Sequence, residues 1–66
     1  MKNRIKEFRA IHDTTQADLA KELQVSRQTI IAIEKNKYNP SLKLALKMAK
    51  FFKIPVEELF FDSEND

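Results

Sequence analysis

The chain contains no cysteine, no glycine and no tryptophan, and only two prolines and one histidine among its 66 residues. The missing cysteine excludes disulfides and thiolate metal sites, and it fits a cytoplasmic setting. A lone His12 leaves little with which to build any other metal site, so no metal or cofactor is expected. No apolar run is long enough to span a bilayer and no signal-peptide pattern opens the chain, so no membrane partner is expected. Nothing pairs a nucleophile with a base, which argues against an enzyme; His12, between an isoleucine and an aspartate, reads as a surface residue. A chain this short forms one domain with one small core, worth roughly 3–5 kcal/mol. With disulfides and metals set aside, association with a second copy is the remaining staple.

Charge is unevenly spread. Residues 1–53 hold all 12 Lys and Arg against 5 acids, a net +7, whereas residues 54–66 hold 5 acids and no base, a net −5. A basic body with an acidic end suits a polyanion on one side only, although a solvated surface with an acidic tail would read the same way.

Alternation at period two is absent and spacings of three and four recur, which predicts an all-α chain. A first helix is expected over Lys2–Ile11, with Ile5, Phe8 and Ile11 on its inner face. Thr15 caps a second helix whose inward stripe is Leu19, Ala20 and Leu23. Ser26 caps a third, ending at Lys35 and anchored by Ile30 and Ile33. Asn36 and Asn39 mark the loop that follows, because Asn tolerates left-handed backbone. Ser41 caps a fourth helix, with Leu42, Ala45, Met48, Ala49 and Phe52 inward. Ile54-Pro55 breaks it, and Pro55 opens a short fifth helix with Leu59 and Phe60 facing in. Residues 1–61 form the domain, and residues 62–66 an acidic, disordered tail. Only Gln24 to Ser26 join the second helix to the third, a joint that favours a steep crossing.

From Gln16 the sequence reads QADLAKELQVSRQTIIAIEK, and it continues as EKNKYNPSLKLALKMA. Ala20 is the small residue of a helix crossing, Val25 plugs the turn, and Ile30 and Ile33 face inward. On these residues the chain resembles the helix-turn-helix of Cro/CI-type (Xre family) transcriptional regulators. Within that family it is most similar to the short single-domain subgroup typified by the cytolysin-operon repressor. The resemblance spans about residues 3–61 and implies a five-helix, lambda-repressor-like DNA-binding domain. Members often carry glycine before the second helix, in the turn, after the third helix and after the fourth. Asp13, Gln24, Asn36 and Lys53 stand in those places here. If their φ is positive, Gln24 and Lys53 each cost on the order of 1 kcal/mol, while Asp13 and Asn36 accept it more readily. Thr14 stands where a leucine is common.

The resemblance implies what the third helix meets. An α-helix fits the major groove of duplex DNA, and its N-terminal side chains reach base edges. Arg27 can donate twice to guanine, and Gln28 can donate to and accept from adenine, each pair giving about 1–3 kcal/mol of discrimination. Taken alone, both would read as ordinary exposed helix residues; the motif makes them base contacts. Thr29 is expected to touch a phosphate or a thymine methyl, and Ala32 a thymine methyl. Ile31 lies outside the core stripe, against DNA or against the fourth helix. Phosphate contacts are expected from Gln16, at the start of the second helix, and from Lys35, Lys37, Tyr38, Asn39, Ser41 and Lys43. Glu34 interrupts the basic run, either paired with Arg9 or simply solvated.

A single such domain binds DNA weakly, so two half-sites about one helical turn apart are expected. Leu44 and Phe51, on one face of the fourth helix, lie off the inward stripe. Grouped with Pro55, Val56, part of Leu59 and Phe61, they form an expected homodimer seam, unless Leu44 and Phe51 merely cover the core. The expected function is therefore a dimeric transcriptional regulator, a repressor, on a palindromic operator in double-stranded DNA, with activation left open. The alternative is a protein-interaction module such as a toxin-binding antitoxin, against which stands the short stretch after the last helix. That same shortness leaves no room for a sensing domain, so no small-molecule site is expected.

Overall fold

Three hydroxyl side chains open helices where the sequence places them. In the computed structural model, which describes residues 1–62, Thr15 Oγ1 accepts from the Asp18 amide at 3.0 Å. Ser26 Oγ accepts from the Thr29 amide and Ser41 Oγ from the Leu44 amide, both at 3.1 Å. Each bond satisfies an amide that a helix start leaves without an intrahelical partner. The helices they open are α2 (Gln16–Leu23), α3 (Arg27–Glu34) and α4 (Leu42–Phe52). α1 (Ile5–Ile11) precedes them, and α5 (Val56–Leu59) follows Pro55, completing the five helices found among the described residues.

Four of these helices end alike. Asp13, Gln24, Asn36 and Lys53 have φ of 52°, 58°, 60° and 60°, the left-handed region in which glycine carries no penalty. The next amide in each case reaches back to close the helix: Thr14 to the Arg9 carbonyl, Val25 to Ala20, Lys37 to Ala32 and Ile54 to Ala49, at 2.8–3.1 Å. This is the Schellman closure, which normally brings an apolar residue against the helix it ends. Val25 and Ile54 do so, packing against the core.

The all-α expectation needs one addition. Lys2–Asn3 is a short strand, β1, rather than the start of α1, and it pairs antiparallel with Phe60–Phe61, β2. Lys2 faces Phe61 and Asn3 faces Phe60 in the register. Asn3 Oδ1 accepts from the Ile5 amide at 3.2 Å, so the chain turns into α1 only beyond Asn3. The Arg4 amide donates to the Leu59 carbonyl at 2.9 Å, and the Arg4 guanidinium lies 5.9 Å from the Phe61 ring centre. Two-residue strands are too short to show a period, which is why the pattern of the sequence does not reveal them.

Ile5, Leu19, Ala20, Leu23, Ile30, Ile33, Ala45, Met48, Ala49, Phe52, Leu59 and Phe60 form the buried core. Phe8 and Phe51 flank Phe52, with ring centres 5.9 and 5.1 Å from it. His12 is exposed, as expected, but its ring lies 5.4 Å from that of Phe52. Two residues assigned inward are not: Ile11 is 68% exposed and Leu42 72% exposed. Ile11 ends α1 and lies roughly 240° around the helix from Ile5, past the buried face. Leu42 is the first residue of α4, on the flank of the stripe centred on Ala45, Met48 and Phe52. Of the expected acidic tail, Asp62 is exposed and residues 63–66 lie outside the described residues. No helix among the described residues is long and apolar enough to cross a membrane.

Candidate nucleic-acid interface

α3 is fixed from beneath and open at its tip. Ile30 and Ile33 are 0% and 1% exposed, and α3 rests against α2, whose Leu19 and Leu23 are also buried. Burying each such side chain is worth about 1.5–3 kcal/mol, enough to set the attitude of so short a helix. On the other side, Arg27 and Gln28 are exposed, and Thr29, Ile31 and Ala32 are half-buried. Ser26 Oγ and Thr29 Oγ1 lie 2.9 Å apart, so the capping hydroxyl also orients Thr29.

A polar chain ties the tip to the rest of the domain. Arg9 of α1 donates through Nε to Glu34 Oε2 at 2.7 Å and through Nη2 to Oε1 at 3.3 Å. A third Arg9 nitrogen reaches the Thr14 carbonyl at 3.1 Å. Gln16 Nε2 donates to Glu34 Oε1 at 3.0 Å, and Arg27 Nη2 stands 3.5 Å from Gln16 Oε1. Of the two readings of Glu34, the paired one is therefore correct: its side chain is only 8% exposed and that of Arg9 14%. Forked, charge-assisted bonds of this kind are among the stronger polar contacts in proteins. They also remove Arg9 and Glu34 from the open electrostatic surface. Gln16, expected on phosphate, has its amide nitrogen committed to Glu34.

Arg27 and Thr29 lie two positions apart on a helix, hence on nearly opposite flanks. A shallow concavity borders each. One is lined by Lys6, Arg9, Thr15, Gln16 and Arg27, the other by Thr29, Tyr38, Ser41, Lys43 and Lys47. Both are thus supplied with cations, and Gln28 stands between them. Lys35, Lys37, Tyr38, Asn39, Ser41 and Lys43 are all exposed. Ser41 Oγ is already used as a cap acceptor, which leaves its proton to donate.

The expected dimer patch is not assembled as the sequence suggests. Leu59 is 0% exposed, so its side chain offers no surface to a second copy. Leu44 and Phe51 are half-buried against the core, and Leu44 lines the same concavity as Leu23 and Val25. Val56 also packs against the core, while Pro55 is exposed and Phe61 is 36% exposed. The side of α4 that is open instead carries Leu42 and Leu46, the latter 49% exposed. Sequence reasoning missed Leu46, and it missed Asn3. Asn3 Nδ2 donates to the Ile33 carbonyl at 2.9 Å and to Asn36 Oδ1 at 3.1 Å, joining β1 to the end of α3.

Comparison with known proteins gives this arrangement a family. A helix-turn-helix family model matches residues 5–59. An HTH-type transcriptional regulator of Methanocaldococcus jannaschii is 61% identical over 66 residues, covering 100% of both chains. The repressor RstR of the cryptic phage CTXphi in Vibrio cholerae is 34% identical over 64 residues, covering 97% of this chain and 58% of RstR. Among solved structures, the restriction-modification controller protein C.AhdI of Aeromonas hydrophila superimposes with a TM-score of 0.78 at 32% identity, over 86% of each chain. The chain belongs to the Cro/CI (Xre) type of helix-turn-helix transcriptional regulators, DNA-binding proteins and not enzymes.

Proposed function

We propose that the protein is a homodimeric repressor that places α3 in the major groove at each half of a palindromic operator. The observation that carries the reading is the pairing of an exposed Arg27–Gln28 tip with a fully buried opposite face on the same helix. In that mode Arg27 and Gln28 read bases, Thr29 and Ala32 meet thymine methyls or the backbone, and Gln28 lies nearest the groove floor. Lys35, Lys37, Tyr38, Asn39, Ser41 and Lys43 grip the adjoining phosphates, with the second Nε2 proton of Gln16 and the free backbone amides at the start of α2 on the other flank. Cations on both sides of the tip support this, since a groove is walled by two phosphate strands.

Dimerisation supplies the affinity that one unit lacks. Two half-sites one helical turn apart, about 34–36 Å, would each receive one α3 tip. The exposure of Leu42, Leu46, Pro55 and Phe61 supports a seam formed by α4 and the segment from Pro55 to β2. Repression is supported by the likeness to the phage repressor RstR.

Selection of binding sites from random duplex DNA tests the reading. The wild-type chain should enrich a palindrome. Arg27→Ala and Gln28→Ala should each weaken binding by about 1–3 kcal/mol and relax preference at one defined base per half-site. Enrichment of no sequence, or relaxation at no defined base, would refute it.

A further inference from the structure

We propose that Asn3 is a positioning residue for operator binding: it sets how α3 stands relative to the dimer seam, and so which half-site spacing the dimer accepts. The inference rests on the proposed dimer and deepens it. Its basis is one side chain that joins two parts of the molecule distant in sequence. The backbone of Asn3 belongs to β1, opposite Phe60 of β2, and its neighbour Lys2 lies opposite the exposed Phe61. The side chain of Asn3 leaves that ribbon and donates to the Ile33 carbonyl and to Asn36 Oδ1. Those acceptors sit at the C-terminal end of α3, the end away from Arg27. One amide group therefore fastens the far end of the recognition helix to β1, the strand paired with the one that carries Phe61.

The core holds α3 through Ile30 and Ile33, one turn apart along its buried face. Apolar contacts are non-directional, whereas a hydrogen bond at 2.9 Å constrains orientation. Glu34, bonded to Arg9 and Gln16, ties the same end of α3 to α1 and α2, and Asn3 adds the polar tie that leads to the β1–β2 ribbon. Within one half-site a small tilt is absorbed by flexible side chains. Across two half-sites joined by a seam, the same tilt moves each tip along the duplex in opposite senses.

The test separates the second amide function from the first. Asn3→Asp keeps an oxygen to accept from the Ile5 amide and leaves the β1–β2 pairing in place, but it removes the donor to Ile33. Asn3→Ser is a second variant, with a hydroxyl able to cap Ile5 but too short to span to α3. Binding is measured by titration on the selected palindrome and on versions with one base pair inserted or deleted at the centre. Alongside it, sedimentation reports the dimer and site selection reports the half-site preference. For the wild type, changed spacing should weaken binding roughly tenfold or more, since half-site separation is a geometric requirement. The variants should stay dimeric, keep the same half-site preference, and lose most of that spacing discrimination. Unchanged discrimination in both variants, altered half-site preference, or failure of both to fold as dimers would each overturn the proposal. If the wild type itself binds without regard to spacing, the dimeric operator reading falls and takes this inference with it.

Discussion

Glu34 holds two partners at once, and so a single carboxylate carries the junction of three helices. Removing it leaves the Arg9 guanidinium, 14% exposed at the side chain, without its counter-charge, and Gln16 without its acceptor. Breaking a largely buried pair from one side is costly because the remaining ion keeps its desolvation penalty. Glu34→Ala should therefore lower stability by about 3 kcal/mol, read as a shift in the urea midpoint at constant slope. A loss below about 1 kcal/mol would mean that water screens the pair as it does surface ion pairs. The four left-handed residues belong to the same scale. Asp13 and Asn36 are types that visit this region readily, whereas Gln24 and Lys53 hold it at on the order of 1 kcal/mol each. Part of that cost is returned by the unfolded chain, which without glycine has less conformational freedom to lose.

At the scale of the element, the proposed binding mode divides the two components of DNA binding between α3 and the loop after it. In the proposed mode the exposed lysines of the loop and of the first turn of α4 neutralise phosphates and release counterions, while the tip of α3 reads bases. Lys37→Ala and Lys43→Ala should each lower the slope of log affinity against log salt by about 0.9 per half-site, hence about 1.8 for the dimer, and weaken all sequences alike. Arg27→Ala should leave the slope nearly unchanged. Equal slopes for all three variants in salt titrations would show that the division is wrong. The caps and the helix-turn-helix were legible in the sequence because Thr15, Ser26 and Ser41 act locally, through amides three positions away. The flanks of α4 were not legible in the same way. Leu44 and Phe51 lie on one side of its buried stripe and Leu42 and Leu46 on the other, at about equal angles. Only tertiary neighbours decide which side is covered, and here Leu23 and Val25 stand beside Leu44.

At the scale of the whole molecule, the basic and acidic parts of the chain fall on different elements. Residues 1–53, which run through α4, hold the net +7 and the segment from Ile54 onward the net −5. A seam at that acidic end keeps it from the phosphates and leaves the basic flanks of α3 free, which is the polarity an operator-bound dimer needs. The pairing of β1 with β2 adds a constraint that no local pattern announces: it ties the start of the chain to the end of the domain, beside Phe61. The exposed leucines make the seam testable without disturbing the fold. Leu46 is 49% exposed, so Leu46→Glu should cost the monomer little, at most about 0.5 kcal/mol. Placed in a seam, the same charge would be desolvated against apolar surface of the second copy, and twice over, because a two-fold contact repeats each pairing. Leu46→Glu should therefore yield a folded monomer by sedimentation, with an unchanged helical circular dichroism spectrum and operator binding lost. Leu44→Glu should behave differently, since it sends a carboxylate toward Leu23 and Val25 and unfolds the chain. A Leu46→Glu protein that remains dimeric would move the seam off this side of α4.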